Sequence, residues 1–140
     1  MSMPSAFEPI LRAFAAVDSA WDEDSSTLAL TFPMRYPDSD EVIIVFVSED
    51  EEINGWQVDD GGAAAGLLEQ AGVSPESPAI TAYLQTVYAE SVLMLDDQAR
   101  LGIPVTEAGD LPSAVMEVFA ATCAFYCVGR FGGQARQNAL

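Results

Sequence analysis

Lysine and histidine are both absent from this sequence, and only five arginines face 22 aspartates and glutamates. Without an imidazole or ammonium group, a serine, threonine or cysteine nucleophile lacks its usual activating base. A structural zinc site loses its nitrogen ligand for the same reason. Cysteine is scarce too, with Cys123 and Cys127 alone. Spaced one helical turn apart in an apolar run, they are poorly placed for an unstrained disulfide. No second cysteine pair completes a metal site, so both read as small buried hydrophobes. No metal, cofactor or catalytic residue is expected.

The shortage of bases leaves a formal net charge of −17. Such a field repels nucleic acid and anionic membrane, which are themselves densely negative. It attracts cations, basic proteins and cationic peptides. A solvated surface serving only solubility, or a composition set by salt regime or genomic base content, accounts for the same charge. Glu8 precedes the first base, Arg12, and no basic stretch leads into a long apolar core. No signal peptide is therefore expected, and the chain reads as cytoplasmic.

Half of the residues are apolar, so a core can form despite the charge. At this length one domain over residues 1–140 is expected, with 129–140 as a frayed, Gly- and Gln-rich tail. There is no internal repeat and no linker.

Hydrophobic spacing gives the element order. Ser5 and Glu8 fit a capping box, and Phe7, Ile10, Leu11, Phe14 and Val17 recur at helical spacing. This predicts a first helix of roughly four turns, ending before Asp22-Glu23-Asp24. Leu28, Leu30 and Phe32 alternate as in a strand with one buried face. The continuous apolar run 42–47 reads as a central strand with both faces covered. Asn54-Gly55 turns the chain into a third strand, Trp56-Gln57-Val58-Asp59.

Gly61-Gly62 then opens a helix over 63–71, closed by Gly72. Ser77-Pro78 starts another, carrying Ile80, Tyr83, Leu84, Val87 and Tyr88. Residues 92–95 and 101–105 read as short strands, with Gly102 and Pro104 placing the latter at an edge. The last helix begins near Asp110. Between Ala114 and Val128 only Glu117 and Thr122 are polar, a run too short and too interrupted to span a bilayer. A helix apolar nearly all round needs cover on more than one side. Either it lies centrally or it meets a second copy, and a homodimer through 111–128 is the favoured expectation. The fold class is α+β, a mostly antiparallel sheet of about five strands in the order α-βββ-αα-ββ-α.

Tyr36-Pro37-Asp38-Ser39-Asp40, a strand, and Trp56-Gln57-Val58-Asp59-Asp60-Gly61-Gly62 form the most distinctive stretch. Together with Leu67-Leu68, Gly72 and Ser77-Pro78, they make residues 31–125 resemble an uncharacterised domain family of bacterial and phage proteins. That family usually has Thr or Ser at the place of Val58, and often a base near Ala79 or Ile80. The resemblance implies no activity. In element order alone the chain also resembles class I type III secretion chaperones, which implies dimerisation and binding of an effector segment.

Asp59-Asp60-Gly61 can be read two ways. The paired carboxylates could hold Mg²⁺ for hydrolysis, helped by Asp96 and Asp97. Alternatively Asp60 accepts amide hydrogen bonds at a helix start while Gly61 supplies an unusual backbone shape. Gly61 through Gly66 has the glycines of a phosphate cradle but no Lys-Ser/Thr ending, and the aspartates would repel phosphate. The acidic clusters Asp22-Glu23-Asp24, Asp38-Ser39-Asp40-Glu41, Glu49-Asp50-Glu51-Glu52 and Asp96-Asp97 all fall at expected turns. Gathered on one side of the sheet, they would imitate a phosphate backbone and fit the groove of a basic nucleic-acid-binding protein. Solvated loops collect charge without any such role. The leading expectation is a non-enzymatic domain binding a basic protein, as a phage-type inhibitor would. A chaperone-like effector binder and a small metal-dependent hydrolase are the alternatives.

Overall fold

Residues 3–74, 77–87 and 93–138 are described in a computed structural model of the chain. The strands are β1 (Asp18–Asp22), β2 (Thr27–Arg35), β3 (Val42–Asp50), β4 (Gly55–Asp59), β5 (Met94–Leu95) and β6 (Leu101–Val105). The α-helices are α1 (Glu8–Ala13), α2 (Ala63–Gln70), α3 (Pro78–Val87) and α4 (Leu111–Asn138). The class is α+β, as the alternation of helical and strand spacings implied. The sheet has six strands in the order β1-β2-β3-β4-β6-β5, and every pairing is antiparallel.

The strands form where apolar side chains alternate, because alternate side chains leave opposite faces of a sheet. Leu28, Leu30 and Phe32 of β2 are buried, as are Ile43, Val45 and Val47 of β3. Register places Leu28 opposite Val47 and Leu30 opposite Val45, then Val47 opposite Val58 and Val58 opposite Ile103. One apolar face results. Burying each of these side chains contributes about 1.5–3 kcal/mol.

Helix α4 packs over that face and contacts β3, β4, β6 and the other three helices. Leu111, Ala114, Val115, Val118, Ala121, Thr122, Phe125 and Tyr126 are all buried. Their three- and four-residue spacing is the core stripe of a helix, whereas Met116 and Ala120 are exposed. A second copy is not needed to cover the stripe, since the chain's own sheet and helices already do so. By length and composition residues 108–132 could cross a bilayer, contrary to the shorter run seen in sequence; in this fold 108–110 are a 3₁₀ turn and the rest lies in α4 over the sheet. Aromatic pairs tie the end of α1 and the body of α4 to the sheet: Phe14, just after α1, meets Phe32 edge-on at 5.8 Å, and Phe32 stacks on Phe119 at 4.3 Å.

Several expectations are corrected. The first helix is a 3₁₀ turn, Ser5–Phe7, followed by six residues of α1, and Ser5 forms no side-chain cap. Phe14 leaves helical geometry at φ −118°, ψ 42°. The residues beyond it instead form β1, a sixth strand, with Trp21 against Phe7 at 5.6 Å. Pairing along β2 overrides the helix propensity of the preceding alanines. β3 is central, yet Val42, Ile44 and Phe46 are only half-buried, so a continuous apolar run did not mean two covered faces. β6 lies inside the sheet between β4 and β5, but only Leu101 and Gly102 pair with β5. Pro104 lies past that short pairing. The strand expected over 92–95 is observed as Met94–Leu95, and Tyr88 and Val92 fall outside the described residues.

Helix α4 also runs past Gly129, where the sequence suggested a tail. Gly129 continues the core stripe one turn beyond Phe125. A β-carbon there would sit 2.7 Å from Leu68 Cδ1 and 3.1 Å from Ile80 Cδ1, so its lack of a side chain lets α2 and α3 approach. Overpacking typically costs about 1–3 kcal/mol. Gly129→Val should lower stability by about 2 kcal/mol. Gly66→Ala, where nothing lies within 4 Å of the added carbon, should instead raise it by up to about 1 kcal/mol. Urea denaturation midpoints of the two variants check both directions.

Candidate functional site

The Asp59-Asp60-Gly61-Gly62 motif leaves the end of β4 and leads into α2. Asp59 Oδ1 accepts the Gly61 amide at 2.8 Å, and Asp60 Oδ1 accepts the Gly62 amide at 2.9 Å. These are successive local turns of the kind aspartate favours. Gly61 and Gly62 adopt φ of +67° and +81°, a region that costs glycine little. At Gly61 space adds a second demand, because a β-carbon would lie 2.7 Å from Phe46 Cε2.

Asp60 then reaches across the fold. Its Oδ1 also accepts the Leu101 amide at 3.0 Å, and its Oδ2 accepts the Thr122 hydroxyl at 2.7 Å. Tyr36 Oη lies 2.9 Å from Thr122 Oγ1. Since the Thr122 hydrogen is given to the carboxylate, Tyr36 donates to Thr122. All three side chains are buried, Asp60 and Tyr36 at 1% exposure and Thr122 at 0%. One carboxylate therefore joins the end of β4, the start of β6, the start of α2 and the middle of α4. Burial holds the Tyr36 hydroxyl well above its usual pKa, and its bond to Thr122 only partly offsets that.

Asp59 and Asp96 respond to their surroundings in opposite ways. Burial pushes the Asp59 carboxyl up, against the Gly61 amide and the charge of Arg100, which lower it. At Asp96 burial also acts upward, but the Arg100 amide and guanidinium and the Gln98 amide outweigh it and hold the carboxyl below its usual range. Arg100 Nε lies 2.8 Å from Asp96 Oδ2. Among the described residues, no group of three or more His, Cys, Asp or Glu is placed to hold a metal ion. Asp60 spends both oxygens on amides and a hydroxyl. In this structure the motif acts as a turn that leads into α2, with Asp60 bridging to Leu101 and Thr122.

The acidic clusters separate into two groups. Thr27 pairs with Ser48, so the turns bearing Asp22-Glu23-Asp24 and Glu49-Asp50-Glu51-Glu52 lie side by side at one end of the sheet. Glu49 and Asp50 belong to β3 itself rather than to a loop. Asp38, Asp40 and Glu41 follow β2 at the other end, where the β5–β6 connection places Asp96 and Asp97. Each of these clusters has an arginine beside it: Arg35 lies 3.9 Å from exposed Asp40, and Arg100 pairs with Asp96. One continuous line of charge along a single side is not formed. Cys123 and Cys127 are free and partly buried on α4, and burial raises the Cys127 thiol. Sequence reasoning missed Tyr36 and Thr122 as partners of Asp60. The hint available was a lone threonine inside an apolar helix. No family model, curated protein or solved structure matches this chain.

Two outcomes are expected. Asp60→Ala strands two amides and a hydroxyl, each costing about 1–3 kcal/mol when buried without a partner. It should destabilise by at least about 3 kcal/mol, and Thr122→Val by about 2 kcal/mol, in chemical denaturation. The pH responses of Asp59 and Asp96 should also differ in sign. The raised Asp59 favours folding fully below about pH 3.9 and loses that contribution as pH rises through its folded value. The lowered Asp96 contributes above that pH and loses its contribution as pH falls through its folded value. Asp59→Asn should therefore compare better with the parent at pH 7 than at pH 3, and Asp96→Asn worse.

Proposed function

We propose that this chain is a non-catalytic interaction domain that recognises a basic protein through the β1–β2 and β3–β4 turns. The observation that carries the reading is the convergence of Asp22, Glu23, Asp24, Glu49, Asp50, Glu51 and Glu52 at one end of the sheet. No arginine lies in either turn. Asp22 Oδ1 accepts the Asp24 amide at 3.0 Å and Asp50 Oδ1 accepts the Glu52 amide at 3.1 Å, which shapes both turns before any ligand arrives.

A cleft of about 230 Å³ opens beside them, lined by Glu49, Asp50, Glu51, Trp56, Pro4 and Ala6 among others. Carboxylates around an indole suit a guanidinium or ammonium group, which gains from both the charge and the ring face. The concentrated field steers a cationic partner and orients it on approach. Competition with nucleic acid for that partner follows, since both would offer negative charge to the same basic surface. The compactness of the cluster favours a short basic patch over a long groove.

An arginine-rich peptide is the first probe. Its affinity should fall at least about tenfold between roughly 50 and 500 mM salt, because screening removes the attraction. Neutralising Asp24, Glu49, Glu51 and Glu52 to their amides should weaken binding more than neutralising Asp38, Asp40 and Glu41. Equal effects, or an affinity flat in salt, would remove this reading. A salt-resistant affinity for an unfolded, apolar segment would support the chaperone-like alternative instead.

A further inference from the structure

The face of the sheet turned away from α4 carries a pattern that the core does not require. Register aligns Ala20, Ala29, Phe46, Asp59 and Gly102 across five strands, with Thr31 opposite Ile44 in the next row. Ile44 and Phe46 are half-buried and belong to neither the buried core nor the side chains packed against it. Ala29 and Thr31 are their smaller neighbours on β2, so Ile44 and Phe46 stand above them as an apolar patch on this face. Phe46 is held in place from one side by the Asp59–Gly62 turn, where Gly61 leaves no room for a β-carbon against the ring.

The rim is acidic. Asp18 and Asp22 of β1 lie on this face by register with Thr31 and Thr27, and Asp50 lies on it by alternation from Phe46 and Ser48. Asp18 and Asp22 are exposed. Arg35 stands at the far end, opposite Val42 and beside Asp40. A second copy of this chain would bring like rims together at −17 each, which opposes self-pairing, as it opposes anionic lipid.

We propose that this open face, centred on Ile44 and Phe46, seats a basic polypeptide segment that carries apolar side chains between its cations. The proposal rests on the basic-partner reading and adds to it the surface on which the segment lies. Apolar side chains of the segment cover Ile44 and Phe46, while its cations meet Asp18, Asp22 and Asp50. Among the described residues β1 is an edge strand with one side unpaired within the sheet, so an extended segment can also continue the ladder there.

Two peptides of equal charge separate the possibilities, one with leucine and tryptophan between its arginines and one with serine in their place. The first is expected to bind at least about tenfold more tightly, the gain expected from about 1.4 kcal/mol of apolar contact. Ile44→Thr and Phe46→Thr should erase that preference while leaving the serine peptide's affinity unchanged. Hydrogen exchange on the parent chain, which needs no variant, should show added protection in β1 and β3 when the first peptide is bound. Equal affinities for both peptides, with protection confined to the turns, would overturn the docking face and leave the acidic-turn reading intact. Failure of both peptides to bind would overturn both. Concentration-dependent self-association abolished by Ile44→Lys would overturn the choice of occupant, because the face would then be an interface between copies.

Discussion

The Asp60 carboxylate is the constraint on which the rest of the arrangement depends. A carboxylate leaves water only when its oxygens are met by donors, and an unmet one is more costly than almost any apolar defect. Here the donors come from Gly62, Leu101 and Thr122. Gly62 belongs to the motif's own turn, but Leu101 and Thr122 belong to β6 and α4, so the group is fully satisfied only when both of those elements are in place. That turns a local motif into a test of the global fold. Tyr36 extends the same demand to the end of β2 through its bond to Thr122.

This role explains which parts of the sequence could be read and which could not. The aspartates and glycines of the motif announce a turn by local chemistry, and the turn forms as expected. Their long-range partners leave no such mark. Thr122 is one polar residue in an apolar run, and Tyr36 sits beside a proline-aspartate turn that explains it without any buried bond. The strands of β2 and β3 were legible because alternation is local. β1 was not, because Ala15, Ala16 and Val17 continue a helical spacing until pairing with β2 overrides it. β6 was misplaced for a related reason. Gly102 argues for an edge on propensity, yet its Cβ position would fall 2.7 Å from the Val58 carbonyl, so the glycine serves close strand approach inside the sheet. Gly129 makes the same point in a helix.

Charge is distributed by the same topology. Antiparallel hairpins send successive turns to opposite ends of a sheet, so acidic turns that look like one series in sequence separate in space. At one end Arg35 and Arg100 lie beside carboxylates, and Arg100 is hydrogen-bonded to Asp96. At the other the two turns bring their carboxylates together with no arginine of their own. The sequence could locate the turns but could not assign them to ends, because that depends on strand order.

The two themes meet in the electrostatic cost of folding. Compacting a chain of net charge −17 brings like charges together and works against the native state. The fold already buries Asp59 and Asp60 within that field and satisfies Asp60 with neutral donors rather than a base. Any ligand that binds only the folded chain stabilises it by mass action. A basic ligand does more, because it also cancels part of the self-repulsion that folding creates. On the proposed reading, stability and recognition would be coupled by one quantity, the carboxylate density at the β1–β2 and β3–β4 turns. Substitutions that neutralise those turns should relieve the free protein while weakening its hold on a basic ligand, so on that reading affinity and intrinsic stability would trade against each other at the same residues.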